Sequence, residues 1–360
     1  MIHFEVLQAK YGDCFVMRWT GGKLAVIDGG PAGVYPILQA RLDTIAANKK
    51  LVIDLMMVSH IDDDHINGLL ALMTDLRDLK DNGEALPYDI RRFWFNSFEE
   101  VIGAKGKHAQ DASLAALASN SAEMNEWARL MSDERAVAVL ATVGQGRKLR
   151  DLIALLKLEG NQPFDDAVVG SKKPVDIEGL KVSIVGPLDD QLEALRKDWK
   201  KAPKASKAEL ADYLDTSTAN LSSIVCLVEF EGKKLLLTGD ARGDYILDGL
   251  HKYGHLKAGE SLELDLLKVP HHGSDRDSAP DFFEALPAKH YVISANGKYN
   301  NPDKDTLKWL IEARGDAEYV IHLTNELPWM KAFFNRMSDG RNFSVNYRGE
   351  NDDDFIDIQL

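Results

Sequence analysis

Four side chains able to bind a metal ion, His60, Asp62, Asp64 and His65, crowd into the run Ser59-His60-Ile61-Asp62-Asp63-Asp64-His65-Ile66-Asn67-Gly68. Packed that densely, carboxylates and imidazoles repel one another or demand protons unless a cation lies between them. The chemistry this pattern supports is binding of a divalent metal ion. An acidic helix N-cap, favoured by the helix dipole, would account for one or two of the aspartates. It does not account for the histidine on either side. Asp63, between the ligand-type residues, is expected to face solvent or a salt partner.

Positioning such a group requires rigid elements that stop abruptly. Residues 51–58 are apolar and read as one buried strand running into the His/Asp cluster, with a helix from about Asn67 behind it. Two more segments place ligand-type residues where an apolar strand ends. Leu235-Leu236-Leu237 runs into Thr238-Gly239-Asp240, where the glycine lets the aspartate project from the sheet edge. Leu267-Lys268-Val269 runs into Pro270-His271-His272-Gly273-Ser274. Each segment alone is a weak signal; three in one chain favour a shared metal site over an isolated acidic cap. His3, His251, His255, His290 and His322 lack such a setting and read as structural or surface histidines. His108, among Gly, Lys and Ala, reads as solvated surface.

In this order, strand–HxDxDH–Gly, strand–Thr-Gly-Asp and strand–Pro-His-His-Gly-Ser resemble the metallo-β-lactamase-fold hydrolases. Within them the chain is most similar to the soluble domains related to the competence DNA-uptake protein ComEC. Tyr11-Gly12-Asp13-Cys14 resembles an early Gly-Asp-small turn of that family, and Ala25-Val26-Ile27-Asp28-Gly29-Gly30 its second-hairpin Asp-Gly. Asn220-Leu221-Ser222-Ser223 resembles the polar approach to the Thr-Gly-Asp strand. The likeness covers about residues 1–96 and 180–325. It implies an α/β fold, an αββα sandwich carrying a helical insertion, spread over one domain of 1–360.

Residue by residue, the resemblance implies that His60 and Asp62 hold a first metal, Asp64 and His65 a second, and that Asp240 bridges the two. One of His271 and His272 ligates or touches the scissile group, His271 being counted among the metal ligands, with Asp64, His271 and His272 as the catalytic residues. Asp28 supports the ligand loop from behind, and Ser274 or the backbone at Gly273 is available to bind an oxyanion. The implied cofactor is Zn²⁺, one or two ions. Aspartate at position 62, where many relatives have histidine, makes the site richer in oxygen and brings in Mn²⁺ or Fe²⁺ as alternatives. Tyr299-Asn300-Asn301-Pro302 resembles a late Tyr-Gly-His-Pro motif, with Asn301 in the place of a histidine. The implied activity is hydrolysis of a phosphodiester in nucleic acid or nucleotides by a metal-activated hydroxide. Two readings stand beside it: hydrolysis of another ester, amide or lactone, and a regulatory module whose metal centre is degenerate.

Elsewhere the chain reads as strands alternating with helices. Residues 98–167 depart from this pattern and read as a helical insertion that offers a lid or a surface for a protein partner. Met124, Trp127, Leu130 and Met131 fall there at helical spacing, which more often marks core packing than a groove. Lysines crowd residues 196–207, read as a solvated loop in preference to a phosphate contact. Residues 326–360 read as a strand-rich extension. The formal net charge of −14 excludes a generally basic nucleic-acid coat and restricts a polyanionic substrate to a short nucleotide or a focused patch. Cys14 and Cys226 lie in apolar runs and read as buried free thiols of a reducing, cytoplasmic setting. No signal peptide and no span of the length a bilayer requires is visible, so no membrane association is expected.

Overall fold

In a computed structural model the described residues are 1–97, 134–164, 166–193, 222–348 and 354–360, without the side chains of 134–143. Outside them lie residues 98–133 of the expected insertion, including His108, the 196–207 lysine cluster, Asn220 and Leu221.

Two sheets face each other. The first has the order β16-β1-β2-β3-β5-β7, built from β1 (Ile2–Leu7), β2 (Phe15–Trp19), β3 (Lys23–Ile27), β5 (Leu55–Met57), β7 (Phe93–Trp94) and β16 (Phe355–Gln359). The second runs β15-β14-β13-β12-β11-β10-β9-β8. Its strands are β8 (Val175–Ile177), β9 (Leu180–Gly186), β10 (Val225–Phe230), β11 (Lys233–Leu237), β12 (Leu264–Lys268), β13 (Ala288–Ile293), β14 (Tyr319–Leu323) and β15 (Phe343–Tyr347).

Alternation along each strand decides which side chains fill which layer. Ile2, Phe4 and Val6, with Phe15, Met17 and Trp19, meet Cys226, Val228, Leu235 and Leu237 between the sheets. The intervening Val16, Leu24 and Val26 pack outward against helices α1 (Tyr35–Ala46) and α2 (Asp63–Asp81). On the far side Leu227, Leu236 and Leu267 pack against α4 (Gly243–Tyr253), α5 (Pro280–Ala285), α6 (Lys304–Arg314) and α7 (Met330–Met337). Strands covered on both faces must be apolar on both, which is why β10 to β12 read as nearly continuous apolar runs. The layer order is α-β-β-α.

Helix α3 (Glu134–Leu156) joins the first outer layer, where Leu149, Leu152, Ile153 and Leu156 present one helical face and are buried. Cys14 and Cys226 are buried and free, and burial pushes the Cys226 thiol up to about 12.

Two expectations need correction. Residues 51–58 are not one strand. Buried Asp54 interrupts them: its carboxylate accepts from Leu24 N at 3.1 Å and Arg91 Nη1 at 3.0 Å. The chain is thereby divided into β4 (Leu51–Ile53), which pairs with β6 (Tyr88–Ile90) in a separate small sheet, and β5 in the first large sheet. Helix α2 begins at Asp63, ahead of Asn67, so that Asp63, Asp64 and His65 lie in its first turn. The C-terminal residues also contain a helix, α7, whose Met330, Phe333 and Phe334 are buried at helical spacing. The strands flanking α7 close both sheets: β15 lies parallel to β14, and β16 antiparallel to β1.

The connections put chemistry at one rim. β3 and β5 are parallel neighbours, as are β11, β12 and β13. The segments after their carboxyl ends meet at one rim of the sandwich, where His65 from the first sheet faces Asp240 and His272 from the second.

Candidate metal centre

The segments after β3, β5, β11 and β12 deliver Asp28, His60 to His65, Asp240 and His271-His272 to that rim. Close backbone approach holds them there. A Cβ on Gly12 would lie 1.9 Å from the Asp64 carbonyl oxygen, so only glycine lets the β1–β2 turn sit on the first turn of α2. Asp13 N donates to the same oxygen at 3.2 Å. Ile224 N donates to Ser59 O at 2.8 Å, joining the two sheets at the mouth, and Asp240 N donates to Ser223 Oγ at 3.2 Å.

The four histidines share one orientation. Each turns Nδ1 outward: His65 to Asp28 Oδ2 (2.9 Å), His271 to Asp277 Oδ2 (2.5 Å), His272 to Ser294 O (2.9 Å) and His60 to Ser59 Oγ (3.1 Å). A carboxylate or carbonyl on Nδ1 places the proton there and leaves the Nε2 lone pair free, the arrangement found behind metal-ligating imidazoles. All four Nε2 atoms then point at Asp240. Its Oδ1 lies 3.3 Å from His65, and its Oδ2 lies 3.4 Å from His272, 3.6 Å from His271 and 3.8 Å from His60. These separations are long for charge-assisted hydrogen bonds. They match ligand atoms about 3.4 Å apart around a tetrahedral ion with bonds of about 2.1 Å. His60 Nε2 supports the same conclusion, being buried with no hydrogen-bond partner. The donor set fits a divalent cation.

The acids of the first motif complete the ring. Asp62 is the N-cap residue of α2 yet makes no side-chain capping bond; its Oδ2 lies 3.5 Å from His60 Nε2. Asp64 Oδ2 lies 3.4 Å from His272 Nε2. Asp63 points away and accepts from Tyr11 Oη at 3.2 Å. Asp28 accepts from Ser59 N (2.7 Å) and Ser59 Oγ (2.8 Å) as well as facing His65. Asn301 donates to His271 O at 3.3 Å, so it braces the histidine backbone. Ser274 Oγ accepts from Arg276 N at 3.3 Å, closing its own turn. His271 and His272 both have left-handed backbone (φ 46° and 53°), a strained conformation that splays the two rings apart. His272 goes into the interior; His271 stays half-buried at the opening.

Two participants, Asp13 and Lys268, carried no assigned role in the sequence, although Asp13 lies in the early Gly-Asp turn. Asp13, Asp240, His65 and His272 each supply an atom within 4.8 Å of the others. Asp13, however, approaches from behind: its oxygens lie 3.4 Å from His272 Nδ1 and 3.9 Å from His65 Nδ1, the sides turned away from Asp240. It also faces Lys268, whose Nζ is 2.6 Å from Asp13 Oδ2, 3.4 Å from Asp240 Oδ1 and 2.8 Å from Gly239 O. Asp13 thus backs the imidazoles and neutralises a buried lysine, while Asp240 faces the cage. The available signal was a charged residue inside an apolar strand, Leu264–Lys268, which is stable only with a buried counter-charge.

These contacts set the proton affinities. Burial opposes charge on His65 and His272, but Asp240, aided by Asp28 on the first and Asp13 on the second, outweighs it and holds both well above the ordinary histidine range. Burial likewise opposes ionisation of Asp240, yet His272 and His65 prevail and keep it well below the ordinary carboxyl range. Metal-free protein at neutral pH therefore holds protons that an incoming cation must displace. Because the folded-state basicity of both histidines is raised well above the ordinary range, proton competition persists through neutrality, and affinity should keep climbing as pH rises past it. Titration calorimetry with Zn²⁺ in buffers of different ionisation heat should show net proton release at pH 7. Binding without proton release would contradict this electrostatic picture.

No protein family model matches the chain. Over 98 residues it is 33% identical to ComE operon protein 3 of Bacillus subtilis (strain 168), a match spanning 27% of this chain and 12% of that protein. Among solved structures it is similar to the metallo-beta-lactamase fold protein YhfI from Bacillus subtilis (10% identity, 96% of each chain, TM-score 0.41). It is also similar to Zn²⁺-bound PqqB from Methylobacterium extorquens (10% identity, 99% of this chain and 100% of that one, TM-score 0.42). A long-form RNase Z from yeast is similar at 13% identity and TM-score 0.37, over 97% of this chain and 44% of that one. No helix among the described residues is long and apolar enough to cross a membrane. Two facing sheets, helices on both outer faces and a ligand cluster at the carboxyl rim make this chain an α/β protein, an αββα sandwich with a candidate metal site at one edge.

Proposed function

We propose that the protein is a metal-dependent hydrolase acting on phosphodiesters of nucleic acid or nucleotides. One observation carries the proposal: four imidazole Nε2 atoms face a single buried carboxylate, each ring anchored through Nδ1. His60, Asp62, Asp64, His65, Asp240 and His272 would hold one or two divalent ions. Zn²⁺ suits the imidazoles, and Mn²⁺ or Fe²⁺ suits the aspartate-rich side. When bound, such an ion supplies Lewis acidity toward the substrate oxygen and lowers the pKa of a water. His271, expected either to hold the metal or to touch the scissile group, is given the second role in this proposal. Its ring is partly open to solvent, its Nδ1 is held by Asp277, and burial is outweighed by Asp240 and Asp277, which raise its basicity. In this proposal His271 Nε2 donates a proton to the leaving-group oxygen, with Asp277 stabilising the charged ring beforehand.

The choice of phosphodiester over lactone or amide rests on the resemblance of the motifs to ComEC-related domains and on the 98-residue match to ComE operon protein 3. The test is a panel assayed in Mn²⁺ and in Zn²⁺: single-stranded and duplex DNA, RNA, cyclic nucleotides, a bis-aryl phosphodiester and a lactone. Phosphodiester cleavage that disappears on chelation is the expected result. Turnover of the lactone alone would overturn the substrate assignment, and a metal-loaded protein inert toward the whole panel would favour the regulatory module.

A further inference from the structure

One wall of the opening carries chemistry that the metal centre does not use. The turn Lys298–Asn300 follows β13 and is tied to the histidine loop, since Asn301 Nδ2 bonds His271 O and Asp303 N donates to Gly273 O at 2.9 Å. Opposite it stands Tyr11, which bonds Asp63 in the first motif and lies next to Gly12, the residue seated on Asp64. Tyr11 and Tyr299 meet edge to face with centroids 6.1 Å apart, and Lys298 Nζ sits 3.3 Å from the Tyr11 centroid and 4.8 Å from that of Tyr299. The group therefore bridges the His271 loop and the Asp62–Asp64 turn, the two sides of the cage.

Tyr299 is 71% exposed, a heavy loss of apolar burial for a tyrosine. Its backbone is left-handed (φ 59°), as is that of Asn300 (φ 70°). A bulky aromatic residue in that region is strained and persists only where the surroundings enforce it. Here the strain presents a ring to solvent beside the site. Among the described residues Lys298 pairs with no carboxylate. In a chain of net charge −14, it sets a positive charge between two rings at the mouth.

We infer that Lys298, Tyr11 and Tyr299 form a subsite for one unpaired nucleobase and its neighbouring phosphate, the base stacking on Tyr299 and the phosphate meeting Lys298. The inference rests on the phosphodiesterase reading and narrows it: the substrate is single-stranded or mononucleotide-sized, because a base inside a duplex has no free face to stack. Stacking of this kind tolerates any base, so the subsite selects for a base without selecting its sequence.

The experiment compares two short single-stranded oligonucleotides, one complete and one with an abasic sugar beside the scissile phosphate, on Mn²⁺-loaded wild type, Tyr299→Ala, Tyr299→Trp and Lys298→Ala. Wild type should prefer the complete oligomer. Tyr299→Ala should raise KM for it about ten-fold or more, leave the abasic oligomer unaffected, and keep its thermal midpoint, while Tyr299→Trp retains the preference. Lys298→Ala should weaken both oligomers and flatten the salt dependence of KM. Cleavage of both oligomers with no effect of Tyr299→Ala would overturn the subsite alone. Failure of wild type to cleave either, with metal bound, would overturn the phosphodiesterase reading and the subsite with it.

Discussion

Asp240→Asn should lose its metal and lower turnover by roughly 10²- to 10³-fold or more, while remaining folded. Asn matches Asp in shape, so the packing of the Thr238-Gly239-Asp240 turn survives. The negative charge facing four imidazoles does not. Neutral amide is a poor ligand for a divalent ion, and its NH₂ would face Nε2 lone pairs, or protons, already crowded at 3.3 to 3.8 Å. Removing the charge also lowers the basicity of His65 and His272 in the metal-free protein, since Asp240 is the foremost charge raising both. The variant should therefore release fewer protons when metal is added. Metal content by elemental analysis, turnover and circular dichroism separate the outcomes. An Asp240→Asn protein with full metal content and wild-type turnover would remove Asp240 from the centre of the site.

Lys268→Met should produce the largest stability loss, about 3–5 kcal/mol. The lysine is 1% exposed and its ammonium lies against Asp13, Asp240 and the Gly239 carbonyl. Methionine fills similar volume, so the loss comes from stranded charge: Asp13 is fully buried and loses its cation. The double variant Lys268→Met/Asp13→Asn removes both charges and should recover part of the loss, because neutralising both members of a buried pair costs less than breaking it. Urea unfolding of the metal-free proteins gives the coupling, expected at about 1–3 kcal/mol. Strict additivity would mean that the two groups do not act as a pair.

How much of this was legible beforehand differs by element. Strand ends carrying His60, Asp240 and His271 were readable because apolar runs and glycines mark where a sheet stops. The facing pair of sheets followed from the motifs' resemblance together with alternating strands and helices. Asp54 was hidden inside an apolar run; only its partners, Leu24 N and Arg91, explain why the strand breaks there. Helix α2 starts early because Asp62 adopts the N-cap backbone, although its carboxylate serves His60. Asp13 and Lys268 lie far apart in sequence, and nothing in either segment declares the other. Nor does spacing say which of two adjacent histidines turns inward; the left-handed backbone at both decides that.

Crystals soaked with Zn²⁺ and measured at the zinc absorption edge test the central claim most directly, because anomalous scattering locates the ion independently of any assay. The account predicts a peak within bonding distance of Asp240 and of the Nε2 atoms of His65 and His272, lost in Asp240→Asn. No peak at that rim under saturating zinc, or a peak on the Nδ1 side of the imidazoles, would contradict it.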